Sequence, residues 1–166
     1  MSINQDIAEV AVIMGSQSDF VTMNNSISIL KELNITYKAM IISAHRTPER
    51  LYTFAKLAET NGFKVIIAGA GGAAHLPGLV ASLTYIPVIG VPIKSINLNG
   101  IDSLLSIVQM PKGVPVGTMS IGSSGAYNAA IMAASILSLS NNEIRKNLHL
   151  WRNNLSDSVK LTPDMS

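Results

Sequence analysis

The chain has no cysteine among its 166 residues, so no disulfide can form and no thiolate can act as nucleophile or metal ligand. Charge is scarce as well. Asp, Glu, Lys and Arg make up 13%, against roughly 25% in an average soluble domain. Aromatics are 5%, the net charge is +2, and the basic residues are scattered, with a slight cluster at Arg145, Lys146 and Arg152. Nucleic-acid binders carry a basic stripe with stacking aromatics, so no nucleic-acid partner is expected. No apolar run reaches the roughly 18 residues of a membrane span. No basic segment followed by a long apolar one opens the chain. A soluble, cytoplasmic protein without a membrane partner is the expectation.

What is plentiful is apolar. Hydrophobic residues are 48%, mean hydropathy is +0.34, and there are 12 glycines. A chain of this length suits a single domain. It has few charges with which to coat a monomer, so part of its surface is expected to be buried between identical subunits.

Short β-branched apolar runs alternate with segments of helical period. Strands are expected at 9–14, 36–42, 64–68, 87–91 and 115–121. Between them, Phe20, Met23, Ile27, Leu30 and Leu33 recur at three- and four-residue steps, which predicts a helix over 19–33. Thr47 and Pro48 fit the N-cap and first position of a second helix, which carries Leu51, Phe54, Ala55 and Ala58 and ends at Asn61 and Gly62. Further helices are expected at about 75–83, 100–108, 127–139 and 142–155. The domain core then spans about 8–140, a C-terminal helix about 141–156, and a flexible tail 157–166. Strands alternating with helices make a parallel sheet covered on both faces, a three-layer α/β fold.

In such sheets ligands bind beyond the carboxyl ends of the strands. Five loops follow the five strands, at 15–19, 43–47, 69–75, 92–95 and 122–125, and they are expected to share one edge. They contain two of the 3 histidines, one aspartate, Arg46 and many serines and glycines. Ser and Gly loops running into helix N-termini offer backbone N–H groups to an anion. Arg46 adds a fixed charge with the fork geometry that suits phosphate. A phosphorylated small molecule is the expected guest.

Each motif has a plainer alternative. The 15–19 loop fits a strand-to-helix turn capped by Ser18 or Asp19, or an Asp19 that accepts from ribose hydroxyls. Residues 69–74 match G-x-G-x-x-A after a strand, but the acid expected about 20 residues on is missing, which argues against a nicotinamide cofactor. There is no P-loop, and 122–125 is not a nucleophile elbow. His45 and His75 lack clustered ligands, so no metal is expected. His149 reads as a surface or interface residue, and His75 as either a hydrogen-bonded structural histidine or a catalytic one. His45, at a strand end beside Arg46, is the candidate for proton transfer, because imidazole titrates near neutral pH.

Taken together, residues 14–19 (MGSQSD), 43–49 (SAHRTPE), 66–78 (IIAGAGGAAHLPG), 90–92 (GVP), 103–111 (SLLSIVQMP) and 117–130 resemble one family. It is the catalytic-subunit family of phosphoribosylaminoimidazole carboxylase, whose members act as N5-carboxyaminoimidazole ribonucleotide mutases in purine synthesis. The resemblance runs in order from about Val10 to Leu139. It implies a flavodoxin-like sheet of order 2-1-3-4-5, a homo-octamer and no metal or organic cofactor. It implies a nucleotide substrate, and it is compatible with transient contact with the synthase that makes that substrate. Direct carboxylation of aminoimidazole ribonucleotide by free carbon dioxide is the other reaction of the family, and a non-catalytic nucleotide-binding module is a further alternative. By the resemblance His45 is the catalytic acid–base. Ser16, Ser18, Asp19, Ser43 and Arg46 would hold phosphate and ribose, and Ala70, Gly71 and His75 would line a carbon dioxide pocket. Ser123 and Ser124 depart from the lysine or other small residue of many relatives.

Overall fold

The computed structural model describes residues 8–163. Five parallel strands form one sheet: β1 (Val10–Met14), β2 (Tyr37–Ile41), β3 (Val65–Gly71), β4 (Val88–Ile93) and β5 (Gly117–Thr118). Their order is β2-β1-β3-β4-β5, so the chain reverses its direction of winding between β2 and β3. The helices are α1 (Phe20–Glu32), α2 (Pro48–Leu57), α3 (Leu76–Ala81), α4 (Ile101–Val108), α5 (Ser123–Leu137) and α6 (Asn142–Asp157). A single 3₁₀ turn, Gln17–Asp19, leads into α1. This is the three-layer flavodoxin-like arrangement expected. No helix among the described residues is long and apolar enough to cross a membrane.

Two-residue alternation along β1 divides the core. Val10, Val12 and Met14 join Met23 and Leu30 of α1, an alanine face of α5, and Ile144 and Leu148 of α6. Ala11 and Ile13 join Leu51 and Phe54 of α2, Leu76 and Val80 of α3, and Ile107 of α4. β1, β3 and β4 are therefore enclosed on both sides, which is why they read as unbroken apolar runs. β2 is an edge strand and is partly exposed.

The structure corrects several expected boundaries. β3 runs on through Gly69, Ala70 and Gly71, and β4 through Ile93, because Ala70 pairs with Pro92 and Gly71 with Ile93. The glycines there are strand residues, not a loop: a Cβ on Gly69 would run into the Met23 side chain of α1. β5 shrinks to two residues. Pro115 has no N–H to offer a ladder, and only Gly117 and Thr118 pair with β4. α5 starts at Ser123, ahead of the expected 127, despite the poor helix propensity of Ser-Ser-Gly. Tertiary contact decides this: Gly122 (φ 81) donates to the Pro92 carbonyl at 2.9 Å, and the Ser26 hydroxyl of α1 donates to the Ala126 carbonyl. α3 is shorter than expected and α6 reaches Asp157. Gly62 does end the α2 segment as predicted, at φ 86, with the Phe63 amide closing on the Ala58 carbonyl at 3.1 Å. Of the predicted flexible tail, 164–166 lie outside the described residues.

Gly125 gives the fold's sharpest steric test, since a Cβ there would collide with the Ser120 carbonyl, and backbone cannot step aside. Gly125→Ala is expected to cost about 2–3 kcal/mol or more in urea unfolding. Gly117→Ala, whose Cβ would lie 3.7 Å from the Val88 carbonyl, is expected to change stability by less than about 0.5 kcal/mol. Equal effects would contradict the packing described.

Candidate active site

The carboxyl ends of β1, β2, β3 and β4 surround a cavity of about 660 Å³. Its lining includes every residue given a catalytic, substrate-binding or carbon dioxide role in the sequence analysis: Ser16, Ser18, Asp19, Ser43, His45, Arg46, Ala70, Gly71 and His75. Four of the five expected loops thus converge. The fifth does not. Ser123 and Ser124 line a separate depression with Asn25, Tyr127 and Asn128, because α5 is drawn toward α1. Lys94 and Ser95, at the end of β4, also line the main cavity and were not singled out. Their position beyond a buried strand was the available signal.

Each loop is held by its own hydrogen bonds. After β1, the Ser16 amide donates to Asp19 Oδ2 at 2.9 Å, and the Gly15 amide to the Gly69 carbonyl at 3.3 Å. After β2, the Thr47 amide and hydroxyl both donate to the Ser43 carbonyl, at 2.8 and 2.9 Å. Thr47 is the N-cap of α2, but its hydroxyl turns back to close the loop instead of capping the helix. Arg46 Nε donates to Ser43 Oγ at 3.0 Å. After β3, two consecutive tight turns carry the chain, Ala74 N–H to the Gly72 carbonyl and His75 N–H to the Ala73 carbonyl, each at 2.8 Å. After β4, Ser95 Oγ donates to Asp102 Oδ1 at 2.6 Å and accepts from the Gly100 amide at 3.1 Å.

Two of these loops meet through their histidines. His45 Nε2 and His75 Nδ1 are 2.8 Å apart, with ring centroids at 4.9 Å and planes at 80°. One nitrogen must donate and the other accept, so the pair holds a proton at this junction and each ring dictates the other's tautomer. Both rings face the cavity's solvent-accessible side, whereas His149 lies exposed on α6. Arg46 and Lys94 bring positive charge to the same rim, and the small residues Ala70 and Gly71 leave an uncharged floor. Among the described residues no group of three or more His, Cys, Asp or Glu side chains could hold a metal ion.

Asp19 is buried, 9% exposed. Burial pushes its carboxyl above the ordinary value of 3.8, while hydrogen bonds from the Ser16 amide and hydroxyl and the Gly15 amide oppose that shift. The folded protein therefore holds this proton to higher pH than the unfolded chain does. The resulting stability is fully present below 3.8 and is lost as pH rises through the raised folded value. Relative to Asp19→Asn, the wild type is expected to gain thermal stability as pH falls from neutral toward 3.8. Melts across that range check it, and a flat or inverted difference contradicts the burial argument.

Comparison with known proteins completes the picture. The family model described as AIR carboxylase matches residues 9–158. The N5-carboxyaminoimidazole ribonucleotide mutase of Escherichia coli (strain K12) is 52% identical over 164 residues, which cover 99% of this chain and 97% of that one. The N5-carboxyaminoimidazole ribonucleotide mutase of Saccharolobus solfataricus is 56% identical over 154 residues, covering 93% of this chain and 96% of the relative. The crystal structure of Treponema denticola PurE superposes with a TM-score of 0.81 at 30% identity, covering 89% of this chain and 91% of the other. The matches take in all four loops that build the cavity, and the chain belongs to the AIR carboxylase family.

Proposed function

We propose that the protein is a cytoplasmic mutase of purine synthesis that interconverts N5-carboxyaminoimidazole ribonucleotide and 4-carboxy-5-aminoimidazole ribonucleotide. The observation that carries this reading is the His45–His75 pair standing in a cavity whose other walls are an anion-suited rim and a small apolar floor. In this reading Ser16, Ser18, Asp19, Ser43 and Arg46 hold the phosphate and ribose, with Lys94 as a second cation on the rim.

The chemistry balances through one imidazole. The bond from the exocyclic nitrogen to the carboxyl carbon breaks, its electron pair stays on nitrogen, and carbon dioxide forms. His45 gives the nitrogen a proton. Ring carbon C4 then attacks the carbon dioxide, and His45 takes the proton that C4 releases, so the imidazole ends as it began. The gas must neither escape nor meet bulk water in the interval. Ala70 and Gly71 suit that role, because an apolar wall excludes the water that would solvate the carboxylate. The scheme calls for no metal and no organic cofactor.

The family description favours one other reading, direct carboxylation of aminoimidazole ribonucleotide. Purified protein is expected to convert the carboxyamino nucleotide without added bicarbonate. Turnover with aminoimidazole ribonucleotide plus bicarbonate alone would establish the carboxylase instead. His45→Asn is expected to retain nucleotide binding by calorimetry while turnover falls about 10²-fold or more. Undiminished turnover would remove His45 from the mechanism.

We also propose a homo-octamer. Tyr85 and Ile96 are fully exposed, Leu139 is 80% exposed, and α4 turns Ile101, Leu105 and Val108 outward. So much scattered apolar surface on a chain with 13% charged residues supports burial against other copies. Sedimentation is expected to give the mass of eight chains of 17.6 kDa, and a monomer's mass would overturn the assembly.

A further inference from the structure

α4 carries a residue in the wrong place for a packing helix. Its outward side holds Ile101, Leu105 and Val108, while its fully buried positions are Ile107 and a serine, Ser103. An alanine would fill the same space without a polar atom. Ser103 Oγ instead accepts from the Gly72 amide at 2.9 Å and donates to the Ile93 carbonyl at 2.7 Å. One turn along, the Ser106 hydroxyl gives its single proton chiefly to the Asp102 carbonyl of its own helix at 2.7 Å, with the Gly72 carbonyl at 3.3 Å as a weaker second acceptor. The Gly72 amide is thereby held from α4, while its carbonyl accepts from the Ala74 amide at 2.8 Å and only weakly from Ser106.

Gly72 needs an external hold. Its φ is +66, in the left-handed region, and nothing lies within 4 Å of where its Cβ would be. No neighbour crowds the side-chain position, so the hydrogen bonds to its amide and carbonyl are what hold the turn. Beyond Gly72 the chain passes through the two tight turns that end on His75, and the His75 ring meets His45 at 2.8 Å. The Gly72 turn and Ile93 are also adjoining walls of the cavity. Ser103 ties one wall to the other.

We propose that Ser103, assisted by Ser106, is a positioning residue for the reaction. It fixes the Gly72 turn, and through that turn the His75 ring that orients His45 and the wall that confines carbon dioxide. The proposal deepens the mutase reading above and rests on it for its kinetic consequences. Its structural half, the setting of the histidine pair, stands independently. Ser16, Ser18, Asp19, Ser43 and Arg46, which hold the phosphate and ribose in that reading, sit on the β1 and β2 loops, and neither serine touches those loops or the Lys94 side chain. Loss of the clamp therefore acts on turnover and on retention of the gas, not on nucleotide affinity.

The test uses the full-length protein and four forms: wild type, Ser103→Ala, Ser106→Ala and the conservative Ser106→Thr. With the carboxyamino nucleotide as substrate, Ser103→Ala is expected to lower kcat by about 10-fold or more, the scale of a misplaced catalytic group. Nucleotide Kd is expected to stay unchanged, and a larger fraction of turnovers should end as decarboxylated aminoimidazole ribonucleotide and free carbon dioxide. Ser106→Ala is expected to shift the same ratio in the same direction by less, and Ser106→Thr to restore it. A general loss of folded protein would lower both products together and leave the ratio alone.

A second readout needs no turnover. The chain has 3 histidines, so ring-labelled protein gives three imidazole signals, with His149 on α6 as an internal control of folding. In Ser103→Ala the His45 and His75 signals are expected to move while His149 stays. Unmoved His45 and His75 signals overturn the proposal, as does a wild-type product ratio in Ser103→Ala. If the wild type itself converts no substrate, the functional reading fails, and the ring signals alone decide whether the clamp exists.

Discussion

The contact on which the site depends is the hydrogen bond between His45 and His75. Their loops follow β2 and β3, which are not neighbours, because β1 lies between them. Two strand spacings amount to roughly 10 Å, beyond direct backbone contact. Only side chains reaching over the end of β1 can close that distance. β1 permits this because Gly15 ends it and the chain turns down at once into the 3₁₀ turn and α1. The reversal of winding between β2 and β3 opens the crevice, and the imidazole pair bridges it.

Around that bridge the molecule accepts local costs. Asp19 is a carboxylate placed where burial favours its neutral form, held by donors from the turn it terminates. Gly72 occupies a left-handed backbone conformation held by hydrogen bonds to its amide and carbonyl. Ser103 brings a hydroxyl into the core, with donor and acceptor both used. None of these choices improves packing. Asp19 and Gly72 line the cavity and Ser103 backs its wall, as expected where a site is preorganised at the expense of stability.

The outer surface shows a second constraint. β1, β3 and β4 are enclosed within the monomer, yet α4 and the loop before it leave large apolar side chains in solvent. The scarcity of charge in the sequence and the exposed apolar side chains in the structure are the same property seen twice.

Much of the fold was legible in the linear chain. The β-branched runs, the helical spacing of Phe20 to Leu33 and the stop at Gly62 follow from short-range physics, and they led to the observed elements. The loops around the cavity were legible because one rule, that ligands bind beyond strand ends, gathers them without coordinates, while the roles of single residues within them came from the family resemblance. What stayed hidden depended on long-range contact. Gly69 to Gly71 read as a loop because glycine has low strand preference, and only the close approach of Met23 shows why the strand needs glycine at 69. Ser123 to Gly125 read as coil because their propensity opposes a helix, which contacts with Ser120, Pro92 and Ser26 impose. Ser103 sits about 30 residues from the turn it holds, and no local pattern links them. The sequence by itself determined which elements form and which chemical groups stand at their ends. Tertiary structure decided which of those groups touch, because a hydrogen bond across 30 residues depends on where the sheet carries each strand and not on the residues beside it.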